Sequence, residues 1–107
     1  MIMELISAME LDQALKNGEP YLIVDVRELY EYEVCNLGTL HIPMGEITER
    51  YSELPKDSWL VIMCRSGKRA EAVAGFLISD FGFTKVFVLE GGILAWRDQV
   101  DSTLELD

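Results

Sequence analysis

The chain has 107 residues, half of them hydrophobic and about a quarter charged, the size and composition of one globular domain with no room for a second. Its formal net charge of -10 argues against a nucleic-acid partner or an anionic membrane surface, because phosphate binding needs a basic face, and reads most simply as solubility. No apolar run approaches the roughly 18 residues of a membrane span, the start Met1-Ile2-Met3-Glu4 lacks a secretory signal's basic and apolar regions, and Cys35 and Cys64 fit neither a disulfide framework nor a metal pair, so a reducing cytoplasm is the expected setting.

Along the chain, Met3 to Ile6 suits a short strand. Ser7 and Glu10 form a capping box, opening a helix with Leu11, Ala14 and Leu15 inward and a stop near Asn17-Gly18. Tyr21 to Val26 is short, β-branched and nearly continuous in apolar residues, which predicts a strand buried on both faces with Asp25 as its odd member. Arg27 to Val34 predicts a short helix whose Glu28, Glu31 and Glu33 make a solvated face. Thr39 to Ile42 predicts a strand closed by Pro43, and Glu46 to Leu54 a helix ended by Pro55.

Trp59 to Met63 predicts a second buried strand. Cys64-Arg65-Ser66-Gly67-Lys68-Arg69 then breaks the apolar pattern, and Ala70, Val73, Ala74, Leu77 and Ile78 keep helical spacing to about Phe81, with Gly82 as the stop. Lys85 to Leu89 predicts another strand, and Gly91-Gly92 leads into a last helix carrying Ile93, Leu94 and Trp96. Trp59, Phe76, Phe81 and Trp96 are expected in the core. Alternating strands and helices mean an α/β fold with a mostly parallel sheet and ligands at the carboxyl ends of its strands.

The segment 64–69 stands at such an end. A turn from strand into helix points backbone N–H groups inward, and the helix terminus adds partial positive charge. That setting favours the anionic, nucleophilic form of a sulfur. Gly67 permits the tight turn and Ser66 can donate a hydrogen bond. Three of the nine basic residues, Arg65, Lys68 and Arg69, fall in this segment, which holds no acid. The result is a local positive funnel suited to an anionic substrate.

These residues resemble a known family. Cys64 to Arg69 looks like the active-site loop of rhodanese-like domains, Asp25-Val26-Arg27-Glu28 with Glu31-Tyr32 resembles the family's upstream signature, and Leu89-Glu90-Gly91-Gly92-Ile93-Leu94-Ala95-Trp96 its downstream one. The resemblance implies one rhodanese-like domain over residues 1–107, with a mostly parallel five-stranded sheet and helices on both faces. It implies that Cys64 takes sulfur from an anionic donor such as thiosulfate, becomes a persulfide and passes the sulfur to a thiol, cyanide or protein acceptor. Arg65, Ser66, Gly67, Lys68 and Arg69 would bind the donor, and Asp25 and Arg27 would support the loop from beneath. No cofactor or metal is called for, a protein sulfur donor or acceptor is a candidate partner, and a monomer is expected.

Where many members carry Gly-His-Ile, this chain has Cys35-Asn36-Leu37 and then Gly38-Thr39-Leu40-His41-Ile42-Pro43. That version is similar to the rhodanese domains fused to adenylylating enzymes of molybdopterin and thiamine sulfur relay. Two other readings stay open: a non-catalytic module that binds a partner protein, and a Cys-dependent phosphatase or arsenate reductase. The related phosphatases use a longer Cys-x5-Arg loop, whereas Arg69 is the fifth residue after Cys64. Cys35 is expected to be packed rather than a resolving thiol, His41 to be structural or at the surface, and Tyr30 and Tyr32 are candidates for the mouth of the site.

Overall fold

Five strands form one sheet in the order β1-β5-β4-β2-β3, and every strand pair in it is parallel. The computed structural model describes residues 3–106; Met1 and Ile2, which belong to the segment read above for a leader, lie outside the described residues. The strands are β1 (Glu4–Ile6), β2 (Tyr21–Asp25), β3 (Leu40–His41), β4 (Trp59–Met63) and β5 (Val86–Leu89). The helices are α1 (Ala8–Lys16), α2 (Leu29–Val34), α3 (Ile47–Arg50), α4 (Lys68–Ser79) and α5 (Gly92–Gln99).

Side-chain alternation splits the core into two layers. On one face Val24, Leu60, Ile62 and Val88 pack against Val73, Ala74 and Leu77 of α4, with Ile47 and Leu54 alongside. On the other, Ile23, Val61, Met63 and Leu89 pack against Leu11 of α1 and Ile93 and Trp96 of α5. Because both faces are covered, β2 and β4 read as continuous apolar runs. The mostly parallel sheet with helices on both faces is therefore observed.

Strand order also explains where the site lies. The connection from β2 runs outward to β3, while that from β4 runs the opposite way to β5. The carboxyl ends of the adjacent strands β2 and β4 thus flank a topological switch point, where α/β sheets leave a crevice for ligands.

Several local expectations change. Glu46 to Leu54 is not one helix: a 3₁₀ turn at Met44–Glu46, the single turn of α3 and another 3₁₀ turn at Tyr51–Glu53 replace it. Only Ile47 and Leu54 are fully buried there, with Tyr51 partly buried against the core and Phe81, and the chain passes between these anchors in short turns rather than one regular helix. In α1 the buried stripe is Ala8, Leu11 and Ala14, and Leu15 rotates off it to the surface. Helix α4 starts at Lys68, before the first residue of the helical spacing at Ala70, and ends at Ser79 rather than near Phe81. Gly82, at φ 73°, lies past its end, where the Phe83 N–H bonds the Leu77 carbonyl at 2.9 Å. Trp96 is buried and Phe81 half-buried against Tyr51, but Phe76 is 45% and Trp59 41% exposed. Phe76 sits on the solvent side of α4, and Trp59 enters β4 at its rim, stacked on Phe87.

Candidate active site

Cys64 follows the last residue of the central strand β4 and is 1% exposed. The chain turns at Gly67, whose φ of 115° and ψ of -24° are available to glycine without strain, and enters α4. This turn aims two amides at the sulfur: the Gly67 N–H donates to Sγ at 3.0 Å and the Ala70 N–H at 3.4 Å. A sulfur so placed meets backbone donors and the positive end of a 12-residue helix together.

The neighbouring strand ends hold this loop from both sides. From the β5 side, the first turn of α5 donates its otherwise unpaired N–H groups to the loop: Ile93 to the Cys64 carbonyl at 2.9 Å and Leu94 to the Arg65 carbonyl at 3.2 Å. Gly92, at φ 63°, allows the approach, because a Cβ there would overlap both of those carbonyls. From the β2 side, the Val26 N–H bonds the carbonyl of Met63, the residue before Cys64, at 2.9 Å.

At the end of β2 lies a closed polar knot. Asp25 and Arg27 are fully buried, with Arg27 Nη2 2.8 Å from Asp25 Oδ2 and Nε 3.0 Å from Oδ1. Arg27 Nη2 also donates to the Cys35 carbonyl at 2.7 Å, pinning the end of α2. His41 Nε2 lies 2.7 Å from the Arg27 carbonyl. The ring of Tyr32 stacks on His41, and its hydroxyl donates to the Thr39 carbonyl at 3.2 Å, so Tyr32 belongs to this knot. Tyr30 is exposed on α2, within electrostatic reach of Arg69. Cys35 is half-buried just after α2, and both cysteines are free thiols.

The model of the Rhodanese-like domain family matches residues 7–99, through the loop and both supporting strand ends. The chain belongs to the rhodanese-like family. A sulfurtransferase of Allochromatium vinosum is 39% identical over 92 residues, with 85% of each chain covered. YrkF of Bacillus subtilis, whose name includes the words sulfur carrier protein, is 35% identical over 97 residues, 90% of this chain but 52% of YrkF. The adenylyltransferase and sulfurtransferase MOCS3 of Drosophila persimilis is 30% identical over 105 residues and 23% of it is spanned, in line with the resemblance read from residues 35 to 43. Among solved structures, a rhodanese-related protein from Thermoplasma volcanium superposes with a TM-score of 0.82 at 28% identity, covering 97% of this chain and 99% of that one.

In this rhodanese-like site the basic residues are not equivalent. Ser66 and Lys68 are exposed, Arg65 is half-buried, and Lys68 has no ion pair among the described residues. Arg69 instead grips Glu31 with both nitrogens, Nη1 to Oε1 at 2.6 Å and Nη2 to Oε2 at 2.9 Å. Glu31 is thus not part of a solvated face, as its neighbours Glu28 and Glu33 are; its side chain is only 6% exposed. The hydrogen bonds from Arg69 hold its carboxyl below the ordinary glutamate value, against the opposing effect of burial. Arg69 is held in its charged form chiefly by the same bonds, with smaller contributions from the nearby Cys64 and Tyr30. The signal that could have revealed Glu31 is its spacing: it lies three residues after Glu28, whose N–H it accepts at 3.0 Å in a capping box, and one helical turn past Arg27.

Among the described residues no helix is long and apolar enough to cross a membrane. Nor do three or more His, Cys, Asp or Glu side chains among them gather in a metal-holding arrangement. A surface cavity between Glu4, Trp59, Ile78 and Lys85 opens at the opposite, amino ends of β4 and β5 and contains none of the predicted site residues.

Proposed function

We propose that this chain is a sulfurtransferase that carries sulfane sulfur on Cys64. The observation behind this reading is the pair of amides aimed at one buried sulfur, a cradle suited to a thiolate and to the anion it becomes after reaction. In the first half-reaction the Cys64 thiolate attacks the outer sulfur of a donor such as thiosulfate. A sulfur–sulfur bond forms to Cys64, the bond to the sulfite group breaks, and sulfite leaves with its electron pair. In the second, an acceptor thiolate or cyanide attacks the outer sulfur of the Cys64 persulfide, and the Cys64 thiolate is the leaving group. The electrons balance without an external oxidant or reductant.

Arg65, Ser66 and Lys68 would meet the incoming donor at the mouth, and Gly67 and Ala70 would hold the sulfur. Asp25 and Arg27 would support the loop without touching substrate. Relatives whose names include a sulfur carrier protein and an adenylyltransferase and sulfurtransferase support a protein as donor or acceptor beside a small anion. The loop, its two clamps and the polar knot all come from one chain, so a monomer suffices. Two free thiols fit a reducing compartment such as the cytoplasm.

The test is mass spectrometry of the protein after thiosulfate treatment, together with thiocyanate formation from thiosulfate and cyanide. The expected result is a mass gain of one sulfur on Cys64 and turnover, both lost in Cys64→Ser with the fold intact by circular dichroism. Neither a sulfur adduct nor thiocyanate from the wild-type protein, with persulfide donors also tried, would refute the reading.

A further inference from the structure

Cys64 is recessed, so a macromolecule reaches its sulfur only with a protruding segment, which must rest on the walls around the loop. One wall is α2. The two bonds between Glu31 and Arg69, at 2.6 and 2.9 Å, tie it to the first turn of α4. Exposed apolar side chains on a soluble domain are usually scattered, but here they cluster. Leu29, Tyr30 and Val34 of the six-residue α2 are 56%, 64% and 57% exposed. On α4, Ala72 and Phe76 follow Arg69 by three and seven residues, on the same stripe of that helix, and both are exposed. None of these five side chains belongs to the core.

Charge on this shoulder has one sign. Glu28 and Glu33 beside and on α2 and Glu71 on α4 are exposed. Neither residues 28–38 nor residues 70–84 contain a Lys or Arg. The nearby bases are on the loop, where Lys68 is exposed, and at Arg69, which is bound to Glu31. The mouth is therefore bipolar, with a basic loop on one side and an acidic, apolar shoulder on the other.

We propose that the shoulder formed by α2 and the outer face of α4 docks the protein that accepts sulfur from Cys64, through a protruding segment whose acceptor cysteine is flanked by apolar and basic residues. The inference rests on the sulfurtransferase reading above. Apolar side chains of the segment cover Leu29, Val34 and Phe76, its Lys or Arg side chains meet Glu28, Glu33 and Glu71, and its thiolate faces the basic loop. There the thiolate attacks the outer sulfur of the Cys64 persulfide. A sulfur–sulfur bond forms to the acceptor, the bond to Cys64 breaks, and Cys64 leaves as a thiolate, so no oxidant or reductant is needed. The same charges disfavour a second copy of this chain, which also carries a net charge of -10. A small acceptor such as cyanide has no use for the shoulder.

The test uses two short synthetic peptides, each with one central cysteine, flanked by Lys and Leu in one and by Glu and Ser in the other. Both are offered as acceptors of sulfur from the Cys64 persulfide, with cyanide as the small acceptor. The Lys/Leu peptide should have a KM about 10-fold below that of the Glu/Ser peptide. Leu29→Ser/Val34→Ser on α2, and separately Phe76→Ser on α4, should raise the KM for the Lys/Leu peptide about 3- to 10-fold. Glu33→Lys, at a solvated position that tolerates exchange, should narrow the gap between the peptides. Turnover with cyanide should stay at the wild-type rate in every variant. Equal KM values for the two peptides, or variants folded by circular dichroism that slow cyanide and peptide alike, would overturn the proposal. So would a concentration-dependent dimer of the wild-type protein that Leu29→Ser/Val34→Ser dissolves, since the face would then belong to a second copy. Fluorescence anisotropy of the same peptides with Ser in place of Cys reads binding without chemistry. Selective binding of the Lys/Leu form by a protein that forms no persulfide would count against the proposed activity alone, and sulfur transfer without preference between peptides against the docking face alone.

Discussion

The carboxyl ends of β2 and β4 lie side by side, and both carry polar residues where an apolar strand stops. At the end of β2, polarity is spent internally: Asp25 and Arg27 close on each other and on the carbonyls around α2. At the end of β4, the donors converge on one sulfur, and an exposed Lys68 stands beside it. The difference shows that a polar interruption at a strand end does not by itself mark chemistry. At one strand end the backbone donors point at a sulfur, and at the other the polar groups are paired with one another.

The largest effect in stability should come from the closed end. Arg27→Met strands the Asp25 carboxylate in the core and should cost about 3–5 kcal/mol in urea unfolding; a cost under about 1 kcal/mol would show that this knot is not the support described. Next, Gly92→Ala forces a Cβ into the Cys64 and Arg65 carbonyls at a positive φ, and should cost about 2–3 kcal/mol while slowing sulfur transfer. Unchanged stability and turnover would mean that α5 does not clamp the loop.

At the open end, Lys68→Glu should leave the unfolding midpoint nearly unchanged and raise KM for thiosulfate by about 3- to 10-fold with little change in kcat. An unaltered KM would remove Lys68 from donor recognition. The smallest effect is in acid. Glu31 ionises at lower pH in the fold than in the unfolded chain, so its clamp adds stability above the ordinary carboxylate range and loses it as pH falls through that range to the lowered value. Glu31→Gln should therefore show a shallower loss of stability over that interval, measured as unfolding free energy against pH.

Much of this was legible before any coordinates. The capping box at Ser7 and Glu10, the runs of β2 and β4 and the break at Cys64 follow from local rules, because propensity and tertiary packing agree there. Residues 46–54 misled because their helical spacing had only two fully buried anchors. Phe76 misled because an aromatic ring was taken to be core, while its helix turns that position to solvent. Glu31 misled because an acidic, aromatic stretch reads as a wet face unless the partner, 38 residues away, is known.

By itself, the sequence determined the alternation of strands and helices, a cysteine at a strand end and the short basic loop, since each is encoded in consecutive residues through periodicity, glycine and charge. Only the tertiary structure decided which charges stay exposed and which pair with each other. Strand order brings α2, α4 and α5 around β4, and whether a carboxylate is solvated or spent on an arginine depends on a neighbour that the chain reaches only after folding.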